Sequence, residues 1–464
     1  DRSPVRQMRA MWIATVFGID WPNPEQSPAE QRAQYEALLD LAVEMNLNAV
    51  ISQVRPAADA FWPSPYEPWS QYLTGRQGED PGYDVLAFQI EAAHARNLEF
   101  HAWFNPYRAS TQPDPDHLAA DHPARVNPEW VWSYNGTLYY DPGRPDVRSF
   151  VQDAMMHAVE NYDLDAVHFD DYFYPYPSED EEIPDQDTYR EYADGTESIE
   201  DWRRGNVDAL VREMGERIRV AKPWVRFGIS PFGIWRNDTT DPRGSATSGL
   251  ESYDAQGADS RRWVQEGWVD YICPQLYWQI GNPAADYAVL LPWWADTVAG
   301  TDVSLYIGQA AYQAATWGDA QELTRQLTLG REHPEVDGHA WYSANHLESD
   351  PTGAIARATE DHYSSPALIE VFPGGADEPA PGTPTALRRV GPPRGDLDLR
   401  WNRRPGDRAG TVYYAIWSLP HPVESAEEVE EVGALLATHR ATDAVVQEFG
   451  LDRALLGEAG LVAV

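Results

Sequence analysis

The sequence predicts an α/β chain, a (β/α)8 TIM barrel followed by a small, mainly β C-terminal domain. Three observations carry that prediction. Eight strand-like apolar runs alternate with helix-like segments up to Phe372. The run Pro373–Pro384 is then rich in proline and glycine, the composition of a linker. Beyond it, Leu397–Trp401 and Val412–Trp417 alternate apolar and polar residues over short stretches, as sandwich strands do. The expected organisation is a barrel over 1–372, a linker over 373–384 and a small β-sandwich-like domain over 385–464. Its last run, Gly460–Val464, reads as a strand cut off or left at a terminus, and Glu424–Leu436 looks helical and fits a sandwich poorly.

Taken in order, the predicted barrel strands are Met8–Val16, Asn48–Arg55, Leu98–Tyr107, Leu164–Tyr172, Val225–Phe232, Val269–Trp278, Ser304–Tyr312 and Gly338–Asn345. Helical segments fall between them at Ala29–Met45, Tyr83–Arg96, Val147–Tyr162, Trp202–Ala221 and Ser260–Glu266. The first helix carries Tyr35, Leu38, Leu39 and Ala42 at helical spacing and stops before Asn46 and Asn48. Long aromatic- and proline-rich excursions interrupt the alternation at Phe61–Pro81, Ala109–Asp141 and Pro175–Asp201. A doubly wound open sheet is the competing architecture, but no glycine-rich phosphate turn supports it.

Composition limits the partners. A formal net charge of −39 over 464 residues argues against nucleic acid or an anionic membrane surface. Arginine supplies every basic side chain except Lys222. No run approaches the ~20 apolar residues that span a bilayer. The single cysteine, Cys273, forms no intrachain disulfide and reads as a small buried hydrophobe. The chain starts at Asp1 rather than Met, so a processed N-terminus and a secreted or cell-envelope location are expected.

Chemistry concentrates at the ends of the predicted strands, the face on which barrel active sites sit. Strand four runs Leu-Asp-Ala-Val-His-Phe-Asp-Asp-Tyr-Phe-Tyr-Pro from Leu164 to Pro175. Alternation puts Ala166, His168 and Asp170 on one face, with Asp171 at the tip. Two acids beside Tyr172, Phe173, Tyr174 and Tyr176 suit sugar chemistry, since aromatic faces stack on pyranose rings and paired carboxyls cleave glycosides. An acidic turn after a buried strand is the plain alternative. Other strand ends carry Gln53 and Arg55; His101, Trp103, Asn105 and Tyr107; Ser230, Trp235 and Arg236; Gln275, Tyr277 and Trp278; Gln309 and Tyr312; and Tyr342, Ser343 and Asn345. So many converging polar ends are hard to explain by packing, because buried polar groups need partners. Arg55 reads as a structural partner for Asp170 or a substrate ligand, Trp235 and Trp278 as core or cleft aromatics. His101 and His168 are too scattered for a metal site, and the acidic run 179–187 lacks the spacing of a Ca²⁺ loop and reads as solvated.

With these residues assembled, the chain resembles glycosyl-hydrolase-like family 10. The matching segments are Met8–Val16 with Asp20-Trp21-Pro22, Asp165–Pro175, Gly228–Arg236 and Gly267–Trp278. The resemblance implies a glycosidase barrel acting on bacterial cell-wall glycan, including peptidoglycan strands stripped of their peptides, and the tail looks like a fibronectin type III module. The adjacent acids look like those of other acetamido-sugar hydrolases of this fold, in which the substrate's own acetamide attacks. The catalytic candidates are then Asp170, orienting the acetamide, and Asp171, the general acid/base. Substrate-binding candidates are Gln53, Arg55, Asn105, Tyr107, His168, Tyr172, Trp235, Gln275, Tyr277, Trp278 and Tyr312. A competing mechanism makes Asp170 a covalent nucleophile, with Glu251 or Asp254 as its acid. A non-catalytic carbohydrate-binding, cell-wall-associated protein is the reading from another class. The expected partner is a polysaccharide, with no cofactor, metal, nucleic acid or membrane insertion. Arg55, Arg108 and Arg236 are the residues able to make the groove locally positive.

Overall fold

The computed structural model describes residues 4–371, 382–390, 397–407, 413–456 and 461–464. The predicted linker lies outside the described residues as far as 381. Eight parallel strands close into a barrel: β1 (Met8–Ile13), β2 (Ala49–Arg55), β3 (Glu99–Phe104), β4 (Ala166–Phe169), β5 (Arg226–Ile229), β6 (Tyr271–Ile272), β7 (Ser304–Ala310) and β8 (Val336–Tyr342). Each strand pairs with its sequence neighbours, and β8 returns to β1 with Met8 opposite Gly338. A principal helix follows every strand: α1 (Pro28–Glu44), α2 (Val85–His94), α3 (Pro145–Asn161), α4 (Ile199–Ala221), α5 (Ser260–Gln265), α6 (Tyr287–Val298), α7 (Glu322–Arg331) and α8 (Ala354–His362). This is the (β/α)8 barrel that the alternation of patterns predicts.

Local chemistry sets the element ends. Ser27 and Glu30 make a reciprocal capping box at the start of α1, with Pro28 in the first helical turn. Every residue of β1 and β2 is buried, as both faces of a barrel strand must be. The strands are shorter than their apolar runs. β6 is only two residues because Pro274 lacks an N–H for the ladder, and beyond it Gln275 makes isolated bridges to Phe232 and Gly308. β4 ends at Phe169, so Asp170 and Asp171 lie just past the last laddered residue. The Ala109–Asp141 excursion contributes a three-stranded antiparallel sheet of Arg108–Ser110, Thr137–Tyr140 and Val131–Tyr134.

The barrel interior contains a directed polar chain. Trp12 Nε1–H donates to His168 Nε2 at 3.2 Å, so the proton of the neutral ring sits on Nδ1, 2.9 Å from the Tyr271 hydroxyl. That hydroxyl is left to donate to His101 Nδ1 at 3.1 Å, and His101 Nε2–H reaches Glu99 at 2.9 Å. Arg226 pairs with Glu99 and closes the chain. Burial pushes both histidines toward the neutral form that this order requires. The Tyr271 ring lies flat on Gly228, where a Cβ would come within 2.0 Å of it. Cys273 is buried in the same layer and free.

The described C-terminal residues form two three-stranded antiparallel sheets. From β9 (Thr385–Val390), β10 (Leu397–Asn402), β11 (Tyr413–Leu419), β12 (Ala434–Arg440), β13 (Val446–Leu451) and β14 (Leu461–Ala463), the orders are β9-β10-β13 and β12-β11-β14. The helical pattern at Glu424–Leu436 resolves into a short helix, Ala426–Val432, capped by Ser425, and the start of β12. This unit packs on the barrel floor. Arg440, 6% exposed, bonds Asp165 at 2.9 Å and the Tyr413 hydroxyl at 2.6 Å, and Asn97 accepts its backbone N–H. Trp417, Leu419 and Leu435 gather with Val5 and Leu368 of the barrel.

The Arg440 charge and His94 hold the Asp165 carboxyl well below the usual carboxylate range. Replacing Arg440 by Met leaves that carboxylate buried without its main counter-charge, at a cost of about 3–5 kcal/mol. A depressed carboxylate pKa contributes stability above about pH 4 and loses it as pH falls. The gap between wild type and Arg440→Met in chemical denaturation is therefore expected to be largest at pH 6–8 and to shrink below about pH 4.

Candidate active site

The two acids at the C-terminal end of β4 are 5% and 6% exposed, and among the described residues neither is in an ion pair. Three donors fix Asp170. Trp103 Nε1–H and Asn105 Nδ2–H reach its Oδ2 at 3.1 and 2.6 Å, and the backbone N–H of Tyr172 reaches Oδ1 at 3.0 Å. Asp171 accepts from the Tyr176 hydroxyl on Oδ2 and from Gln275 Nε2 on Oδ1 at 3.0 Å. Gln256 donates to the Asp171 backbone carbonyl at 2.8 Å.

Burial pushes the Asp170 carboxyl up to about 7, and the neighbouring Asp171 charge adds to the rise. Burial also raises Asp171, against the donors Tyr176 and Gln275. Arg108 opposes both shifts from a distance. Two such groups titrate as a unit, so the pair holds one proton and one charge near neutral pH. That is the state an acid and an assisting carboxylate require.

The orientation of Asn105 is imposed from β1. The backbone N–H groups of Thr15 and Val16 donate to Gln53 Oε1 at 2.8 and 2.9 Å. The Gln53 amide nitrogen must then face Asn105 Oδ1, 2.6 Å away, which turns the Asn105 amide nitrogen toward Asp170. Gln53 is thus a positioning residue, one step removed from the acids.

Two aromatic groups flank the pair. Tyr172 and Tyr176 lie 5.6 Å apart, Tyr176 meets Phe232 at 6.2 Å and Phe232 meets Trp278 at 5.4 Å. In the second group Tyr277 packs with Tyr312 at 5.7 Å and with Tyr342 at 6.0 Å, and Tyr342 leans on Trp12. Tyr277 feels the Asp171 charge and Tyr342 the charges of both acids. Tyr312, at 36% exposed, stands at the rim.

Several sequence candidates lie elsewhere. Arg55 is wholly buried and bonds Glu67 through both Nε, at 2.8 Å, and Nη2, so its ion pair is with Glu67 rather than with Asp170. Tyr107 is fully buried in the packed core, because the chain turns after Phe104 and the strand alternation no longer applies. His168 belongs to the barrel interior, one layer below the acids. Trp235 is 2% exposed, donates to Asp259 at the start of α5 and stacks on Trp293. Of the aromatic run after the acids, Phe173 packs on Trp263 and Tyr174 meets Asn206, so only Tyr172 and Tyr176 face the pair. Glu251 accepts from the Asn237 backbone and Asp254 is paired with Arg236, which places neither beside Asp170. In the acidic run, Asp185 turns inward on Arg203 and Asp187 pairs with Arg190. Among the described residues no cluster of three His, Cys, Asp or Glu has metal-holding geometry.

Sequence reasoning did not single out Trp12, Gln256 or Phe232 for the site. Trp12 and Phe232 lie in segments that carry the family resemblance, the signal by which they could have been found; Gln256 lies in a stretch with no pattern around it.

Residues 7–322 match the sequence profile of the family described as Glycosyl hydrolase-like 10. Glycosyl hydrolase YngK of Bacillus subtilis (strain 168) is 47% identical over 448 residues, 94% of this chain and 86% of that protein. Glycosyl hydrolase DigH of Escherichia coli (strain K12) is 39% identical over 385 residues, 77% of this chain and 88% of that protein. Among solved structures, the catalytic domain of beta-amylase from Paenibacillus polymyxa aligns over 78% of this chain and 99% of its own, with TM-score 0.49 and 12% identity. The PgaB (BpsB) glycoside hydrolase domain from Bordetella bronchiseptica aligns over 76% and 98%, with TM-score 0.47 and 13% identity. The barrel assignment stands on the strand pairing itself and needs neither of these distant likenesses. By its profile match and by two relatives named glycosyl hydrolases, the chain belongs to the glycosyl hydrolase-like 10 family.

Proposed function

We propose that the protein is a glycoside hydrolase that cleaves a 2-acetamido-sugar glycan of the bacterial cell wall, peptide-free peptidoglycan strands being the favoured substrate, and that it works in the cell envelope or outside the cell. The observation that carries this reading is the pair of buried, unpaired carboxyls at the end of β4, pinned by five donors between two aromatic groups.

In the proposed mechanism Asp170, held by three donors, accepts a hydrogen bond from the acetamide N–H and aims the acetamide oxygen at the anomeric carbon. As the acetamide N–H engages Asp170 and favours its charged form, the shared proton passes to Asp171; the acetamide oxygen then forms a bond to the carbon as the glycosidic C–O bond breaks, and that proton goes from Asp171 to the leaving oxygen. Water then attacks the same carbon, gives its proton to Asp171 and reopens the ring formed by the acetamide. The rigid grip on Asp170 suits the orienting role, and the Tyr176 hydroxyl stabilises Asp171 when it is charged. Aromatic faces of Tyr172, Phe232 and Trp278 supply stacking for the sugar rings.

Mass analysis of products from purified peptide-free wall glycan, beside chitin and a neutral α-glucan, tests the reading. New reducing ends from the acetamido glycans and none from the α-glucan are expected; cleavage of the α-glucan alone overturns it. Asp171→Asn and Asp170→Asn are each expected to lower kcat by about 10²–10⁴-fold. Near-full activity in Asp171→Asn, or a covalent glycosyl adduct trapped on Asp170, rules the adjacent-pair mechanism out.

The raised Asp170 pKa also affects stability. Because its folded value lies above the ordinary one, its contribution is present below about pH 4 and is lost as pH rises through about 7. Asp170→Asn does not titrate. Its stability relative to wild type is expected to improve from pH 4 to pH 8, by at most ~4 kcal/mol, as read by denaturant midpoints at the two pH values.

A further inference from the structure

Three arginines had the sequence positions to make the groove positive, and the structure separates them. Arg55 is spent on Glu67, and Arg236 is held by Asp241 and Asp254. Arg108 is different. Its Nε–H donates to the Pro56 carbonyl at 2.9 Å, and its guanidinium carbon lies 5.4 Å from the centre of the Tyr172 ring. Among the described residues no carboxylate lies within ion-pair distance of it, in a chain with 74 acidic and 35 basic side chains. Both Asp170 and Asp171 sense its charge. It is half-buried, and among the described residues neither terminal nitrogen has a hydrogen-bond partner.

A guanidinium anchored through Nε and supported on an aromatic face presents its terminal nitrogens as a fixed fork, the geometry that grips a carboxylate. In an acetamido glycan of the cell wall, every second sugar carries a lactyl ether. Its carboxyl is tied up as an amide while the peptide is attached and becomes a free anion once the peptide is removed. We propose that Arg108 binds the free lactyl carboxylate of a sugar beside the scissile bond, and so selects strands from which peptides have been stripped. The proposal rests on the reading of the protein as an acetamido-glycan hydrolase and adds the group by which the substrate is recognised.

The test compares peptide-free strands with the same strands after their carboxylates are capped as methylamides. Wild type is expected to favour the free strands by about tenfold or more in kcat/KM, mainly through KM. Arg108→Met is expected to bring the ratio close to one, and Arg108→Lys to fall between. If Arg108 served only to tune the acid pair, its loss would shift the pH profile equally on both substrates and leave the ratio unchanged, which would overturn the proposal. So would a wild type that treats both strands alike. Binding measured in the Asp171→Asn background, with and without Arg108→Met, gives a readout independent of turnover. If wild type cleaves neither strand, the hydrolase reading fails, while a preference for free carboxylates that vanishes with Arg108→Met still supports this site; absence of any preference refutes it.

Discussion

Two carboxyls buried side by side without a counter-ion are costly, and the barrel mouth is organised around holding them. Donors from three strand ends converge on Asp170 and Asp171: Trp103 near the end of β3 and Asn105 just after it, Gln275 after β6, and the β4 loop itself through the Tyr172 N–H and the Tyr176 hydroxyl. These donors favour the charged form, burial and mutual repulsion favour the neutral one, and the balance leaves a shared proton. An ion pair in the same place would have stabilised the fold better and lost the chemistry. Arg108 is close enough to temper the repulsion and too far away to cancel it.

The layers below transmit this order. Trp103 donates its N–H to Asp170 and sets its ring edge against His168. His168 in turn belongs to the chain that runs through Tyr271 and His101 to Glu99 and Arg226. Each hydrogen bond in that chain has only one consistent direction, so the interior has a single proton arrangement. At the floor, Arg440 of the C-terminal unit covers Asp165, which precedes β4 and accepts the Phe100 N–H. The tail thus contributes to the strand that carries the acids. Its packing on the barrel is a structural role, whatever else its sheets do.

Much of this was legible in the residues because strand periodicity is a strong constraint. Eight apolar runs separated by amphipathic segments specify a parallel barrel, and alternation along Ala166, His168 and Asp170 put the acid on the inner face. The readings that failed did so where alternation stops. Tyr107 follows the bend at Asn105-Pro106, and Trp235 follows Pro231 and Gly233, so their side chains turn into packing that no period describes. Arg55 sits on a well-predicted strand, yet its partner Glu67 comes from an irregular loop whose path is set by tertiary contacts. The same holds for Gln256, which reaches Asp171 from a loop between β5 and α5. Family resemblance supplied the chemistry of the substrate; spacing alone supplied only the acids and their aromatic neighbours.

The central claim is that Asp170 and Asp171 share one proton at neutral pH. Infrared difference spectroscopy of the carboxyl region, comparing wild type with Asp170→Asn across pH 4 to 9, measures this directly. The account predicts a protonated carboxyl band that persists above pH 6, falls to half around pH 7 and is absent from the variant. A band lost entirely near pH 4, as for ordinary exposed carboxyls, would contradict it.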